Sequence, residues 1–164
     1  MNYSIHQHLN YSVRANSRMV ETLMPVDEKL IYAEAKSSFS SIAKTLLHVW
    51  DAEVIWMKRM QGESLTSWPS ANFHGNKNEL LSGFLQSSKD LAIFINSRDD
   101  AFVKGTIAYR NLKGDSFENV VEHLLYHIVN HGTYHRGQII TLLRGSGITN
   151  LLSEDIIIYL RTLN

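Results

Sequence analysis

The sequence predicts an all-α protein, a helical bundle, and three observations lead there. Apolar residues recur at the three- and four-residue spacing of amphipathic helices over most of the chain. The only two prolines, Pro25 and Pro69, fall between those stretches, where they stop helices instead of kinking them. Hydrophobic residues make up 44% and charged residues 20% of the 164 positions. That suffices to bury one continuous core without disulfides, and residues 1–164 read as a single domain.

The first helix is expected over residues 4–24, with Ile5, Leu9, Val13, Val20 and Leu23 on its apolar side and Pro25 ending it. A second begins in the serine cluster 37–41, whose hydroxyls can cap free amides, and runs to about Gly62. Residues 63–76 mix Ser, Thr, Trp, Pro, Asn and Gly without a period and read as a connecting loop. A third helix follows over 77–97. From 101 to 117 the pattern alternates: Phe102, Lys104, Thr106, Ala108 and Arg110 step by two, and 111–115 contains turn residues. A short hairpin or extended crossover is expected there. Ser116 then reads as the cap of a long helix carrying Phe117, Val120, Val121, Leu124, Leu125, Ile128, Ile139, Leu142 and Leu143, closed by Gly145 and Gly147. A short last helix, about 153–163, is expected to pack back on the bundle.

Composition also excludes functions. Lysine plus arginine and aspartate plus glutamate both total 16, so the chain lacks the positive field that nucleic-acid binding needs, and no nucleic-acid partner is expected. The apolar runs are too short to span a bilayer, and residues 1–20 lack the apolar centre of a signal peptide; a soluble, cytoplasmic protein with no membrane partner is the reading. There is no cysteine, so any metal must sit on nitrogen and oxygen.

Eight histidines stand out, and four of them, His123, His127, His131 and His135, recur at steps of four. At about 100° per residue, His135 falls about 40° from His131, with Leu124, Leu142 and Phe117 in the same arc, so both rings point toward the core. Imidazoles at i and i+4 on a helix are close enough to share one ion. The alternative is a pair of core histidines bonded to backbone or carboxylate groups. A metal needs a third ligand, from another helix, and His48 is the best candidate. It shares a stripe with Ser41, Thr45 and Ala52, at the edge of a larger apolar face formed by Ile42, Leu46, Val49, Trp56 and Met60. His127 is expected to support a ligand more than to be one, and His6, His8, His74 and His123 to lie on the surface. Gly132 stands where H-E-x-x-H enzymes carry their general base, which argues against that protease class. Glu53 is either an acid or base, or the partner of Arg14, Arg18, Arg59 or Arg136. Trp50, Trp56 and Tyr134 read as packing residues.

The run His127-Ile-Val-Asn-His131-Gly-Thr-Tyr-His135-Arg-Gly-Gln-Ile139 resembles the signature of the DinB-like, YfiT-like metalloprotein superfamily. Ser38-Phe-Ser-Ser-Ile42, then Leu47-His48-Val-Trp-Asp-Ala-Glu53 and Trp56, is similar to that family's second-helix pattern, and 109–114 and 155–161 match in character and order. The resemblance covers nearly the whole chain. It implies a four-helix bundle with one short extra C-terminal helix, a metal on His48, His131 and His135 in an open cleft, and a homodimer. It also implies an enzyme that activates a low-molecular-weight thiol for S-transfer or isomerisation on a small-molecule substrate. Zinc or nickel is the expected divalent transition metal, and without cysteine the thiol must arrive as cosubstrate. A metal-dependent hydrolase and a non-catalytic metal-binding stress-response protein are the alternatives. No catalytic residue is assigned.

Overall fold

The computed structural model describes residues 3–152 and 155–163, and its elements are predominantly helical. Four long helices dominate: α1 (Ile5–Leu23), α3 (Ile42–Met60), α4 (Lys77–Asn96) and α6 (Val121–Gly145). Between them lie α2 (Glu28–Tyr32), a 3-10 helix (Pro69–Asn72), α5 (Asp100–Lys104) and a hairpin of β1 (Thr106–Arg110) and β2 (Ser116–Val120); α7 (Ile156–Leu160) ends the chain. Both α1 and α3 pack against both α4 and α6, so the long helices form a four-sided bundle. No helix among the described residues is long and apolar enough to cross a membrane.

Three of the four long helices start where side chains satisfy free amides. Ser4 and Gln7 form a capping box on α1, Asn76 and Glu79 form another on α4, and the Ser41 hydroxyl accepts from the Lys44 amide at 3.0 Å to cap α3. Only the last residue of the serine cluster is therefore used as the cap. The prediction for α1 and α4 holds to within a residue or so at each end.

Two apolar clusters fill the bundle. One includes Met19, Leu23, Leu46, Val49, Phe84, Ile139 and Leu143, and the other includes Leu9, Met60, Leu91, Ile95, Leu125 and Val129. Each such side chain contributes about 1.5–3 kcal/mol when fully buried. On every long helix a buried polar residue stands between the two clusters: Asn16 on α1, Glu53 on α3, Ser87 and Ser88 on α4, Arg136 on α6. The core is thus cut by a polar layer.

Three expectations are corrected. The alternation read from residue 101 begins later, because Asp99 accepts from the Phe102 amide at 2.8 Å and turns 100–104 into α5. Ser116, Phe117 and Val120 belong to β2, not to the long helix: Tyr109 pairs with Phe117 and Thr106 with Val120 in the antiparallel hairpin. The turn is held by the Asn111 side chain, which accepts from the Lys113 and Asp115 amides, and by Gly114 at φ 91°. The Val121 amide then donates to Gly105 O at 2.9 Å, so α6 starts directly from the ladder without a side-chain cap. Third, the segment read as loop contains the 3-10 helix, which Asp51 ties to α3 by accepting from the Ser70 amide and hydroxyl at 2.7 and 2.6 Å. The expected start of the last helix at residue 153 lies outside the described residues.

Candidate metal centre

His48 projects from α3 and His131 and His135 from α6, and these three rings meet on one side of the bundle. His131 Nε2 lies 2.9 Å from His48 Nε2 and 3.1 Å from His135 Nε2. One nitrogen from each of the three falls within 4.8 Å of those from the others, so the group can hold a metal ion. His48, expected at the edge of the apolar face of its helix, is half-buried, while His135 is buried.

The donor set fits a divalent transition metal on its own chemistry. His135 Nδ1 lies 2.7 Å from Gln138 Oε1, an acceptor, so Nδ1 carries the hydrogen and Nε2 presents its lone pair to the other two rings. Gln138 Nε2 in turn donates to Ser38 Oγ at 3.2 Å. A single hydrogen on His131 Nε2 cannot serve two neighbouring nitrogens well. A shared cation can: tetrahedral ligands about 2.0–2.1 Å from zinc stand about 3.3 Å apart, close to the two contacts above.

Electrostatics keep these rings in the form a metal requires. Burial lowers the His48 pKa to about 4, with the neighbouring His135 adding to the effect. His131 falls to about 3, again through burial first and then through His135, His48 and His127. His135 is lowered by burial too, partly offset by Gln138. All three are neutral near pH 7.

The loop before α3 covers this group. Phe39 stacks on His48 with ring centres 4.2 Å apart and meets His135 edge-on at 5.5 Å. The Trp68 ring stands 6.4 Å from that of His48. Gln138 and Phe39 had no role assigned from sequence. Gln138 carried a signal, since three residues after His135 it shares that face of the helix; the position of Phe39 depends on a loop that periodicity does not describe.

Other candidates separate clearly. His127 is exposed, its ring 5.8 Å from that of His131 and 5.7 Å from that of Trp56, and it is outside the three-histidine group. Glu53 accepts from Asn16, Ser87 and Ser88 at 2.6–3.2 Å. Among the candidate arginines, Arg136 reaches it through Asn16, donating to Asn16 Oδ1 at 2.8 Å. Burial raises the Glu53 pKa to about 7, against the hydrogen bonds and Arg136, which lower it. A side-chain Cβ at Gly132 would meet Arg136 Nη1 at 3.1 Å, so the bare backbone at Gly132 leaves room for that guanidinium.

Trp50 packs on Phe73 and Trp56 on Tyr109, as expected of packing residues. Tyr134 does not pack in the core; it is 62% exposed, its ring 5.1 Å from that of His135. His74 and His123 are exposed. His6 and His8 are half-buried instead: His6 meets Asn96 Oδ1 at 3.1 Å, and His8 sits among Tyr3, Tyr11 and Tyr126.

Comparison with known proteins gives a consistent family. A family model described as the DinB family matches residues 1–155. Protein DinB of Bacillus subtilis (strain 168) is 28% identical over 143 residues, covering 84% of this chain and 83% of that protein.

Proposed function

We propose that this chain, which belongs to the DinB family, holds zinc or nickel on His48, His131 and His135 and activates a low-molecular-weight thiol for S-transfer or isomerisation. The observation that carries the reading is the convergence of three neutral imidazole nitrogens from two helices. When bound there, a divalent ion keeps coordination positions open and lowers the pKa of a thiol or water placed on it. The residues do the rest. Gln138 fixes the His135 ring, and Phe39 covers one face of His48 and keeps water from it. The chain has no cysteine, so the thiol comes from solution.

A hydrolase would need a group to move protons. Of the two candidates for that role, Glu53 has both carboxyl oxygens engaged by Asn16, Ser87 and Ser88, which leaves exposed His127, its ring 5.8 Å from that of His131, as the group a hydrolase would use.

The test has two steps. Protein purified without a histidine tag should carry about one equivalent of metal per chain. Metal-loaded protein is then mixed with an electrophile and bacillithiol, mycothiol or glutathione. Acceleration with one of the thiols that disappears in His131→Ala is the expected result; no acceleration with any of the three overturns the thiol reading.

A further inference from the structure

An open cleft of about 430 Å³ lies directly beside His48. That volume falls in the range of about 300–1,000 Å³ typical of small-molecule sites. Its walls are mainly apolar, and two of them are aromatic: Phe39, stacked on His48, and Trp68, its ring 6.4 Å from the same imidazole. Trp68 is 48% exposed, a large apolar surface just before the short 3-10 helix. Asp51, whose two oxygens accept from Ser70, two residues after Trp68, ties that 3-10 helix to α3. The structure thus places an indole on the wall of an open space beside His48.

Two charged side chains line the same cleft, and they differ in availability. Both oxygens of Asp51 are engaged by Ser70. Lys44 is exposed, donates to the Ser40 hydroxyl at 3.0 Å, and has no carboxylate within ion-pair distance among the described residues. An ammonium offers three donors, so Lys44 keeps donors for an anion.

From this arrangement we infer that the cleft between Phe39 and Trp68 binds a planar aromatic molecule carrying a carboxylate, the ring against Trp68 and the carboxylate on Lys44. Apolar walls and an aromatic face select the ring; the Lys44 ammonium, with donors beyond its bond to Ser40, selects the charge. The inference rests on the thiol-transfer reading only in calling this molecule the electrophilic substrate. Binding itself stands on the cleft.

The experiment measures equilibrium binding by calorimetry, with three probes on the metal-loaded chain: 2-naphthoate, its neutral carboxamide, and cyclohexane carboxylate. Naphthoate should bind at least about tenfold more tightly than either of the others. Trp68→Ala should weaken naphthoate about tenfold and Trp68→Phe by less than about threefold, which separates loss of the ring from loss of the fold. Lys44→Met should weaken naphthoate to the level of the carboxamide and leave the carboxamide unchanged. Repeating the titration on metal-stripped protein guards against the carboxylate binding the ion, and retained naphthoate affinity is expected. Equal binding of naphthoate and cyclohexane carboxylate, indifference to Trp68→Ala, or loss of all binding with the metal would each overturn the inference. Thiol transfer that persists in those cases leaves the proposed function standing, and aromatic binding without thiol transfer leaves the cleft assignment standing.

Discussion

Gln138 and Glu53 show how much a single side chain decides here. The His135 tautomer depends on Gln138 Oε1 accepting from Nδ1 at 2.7 Å, and such outer partners typically matter 10- to 100-fold in metal affinity. Gln138→Ala should therefore weaken metal binding by about that factor in a chelator competition, while Gln138→Glu, which still accepts, should retain it; an unchanged affinity in the alanine variant would show that the hydrogen bond does not set the ring. Glu53 acts on stability. Its pKa is raised from an ordinary 4.5 to about 7, chiefly by burial. Below pH 4.5 both folded and unfolded states are protonated and its contribution is fully present. As pH rises toward 7 the unfolded carboxyl ionises while the folded one stays neutral, and the contribution is lost. Urea unfolding should show Glu53→Gln sparing the chain a loss on the order of 2 kcal/mol between pH 5.5 and 7.5; identical pH slopes in both proteins would contradict the buried neutral acid. At this scale His131 and His135 were legible because i and i+4 spacing is local. Glu53 was legible only as a buried acid with an unknown partner, since Asn16 and the two serines reach it from other helices.

The elements repeat this division between local and distant causes. The helices α1, α3, α4 and α6 run long enough for an apolar stripe to show in the sequence. Five-residue α2 and α5 complete little more than a turn, so they leave no period, only their capping residues Asp27 and Asp99. A hairpin was legible from the alternation and the turn residues, but Ser116 is also a plausible helix cap, and only the pairing with β1 shows that residues 116–120 are strand. His48 was not readable from periodicity either; the α3–α6 packing that brings it to His131 is a tertiary fact, and the resemblance supplied what the wheel did not. The α3–α4 contact offers a direct test. A Cβ on Gly83 would lie 2.2–2.7 Å from the Trp50 ring, whose other neighbours include Phe73. Alanine is favoured over glycine in a helix by about 1 kcal/mol, but overpacking costs about 1–3 kcal/mol. Gly83→Ala should thus lower stability in urea unfolding by about 1 kcal/mol net; a more stable variant would mean that the Trp50 ring moves freely.

In the molecule as a whole, two proton-linked effects oppose each other. The rings of His48 and His131 stay neutral in the folded chain down to about pH 4 and 3, whereas in the unfolded chain they take up protons below about 6.5. Their contribution is therefore fully present above pH 6.5 and lost as pH falls through that window, the reverse of Glu53. Metal-free His131→Phe should accordingly lose less stability than wild type between pH 7 and 5, measured by thermal unfolding; an equal loss would mean that the ring is not kept neutral by the fold. Apolar clusters fill the bundle on either side of the polar layer, so metal is expected to add stability instead of creating the fold. That stabilisation follows RT ln(1 + [L]/Kd) and disappears if the site is broken. The most direct measurement is the shift in Tm on adding one equivalent of zinc or nickel to wild type and to His48→Ala. The three-histidine account predicts that metal-free Tm values stay close, because half-buried His48 lies outside both apolar clusters, while the metal-dependent shift of wild type is largely lost in the variant. Full metal occupancy and an undiminished shift in His48→Ala would contradict it.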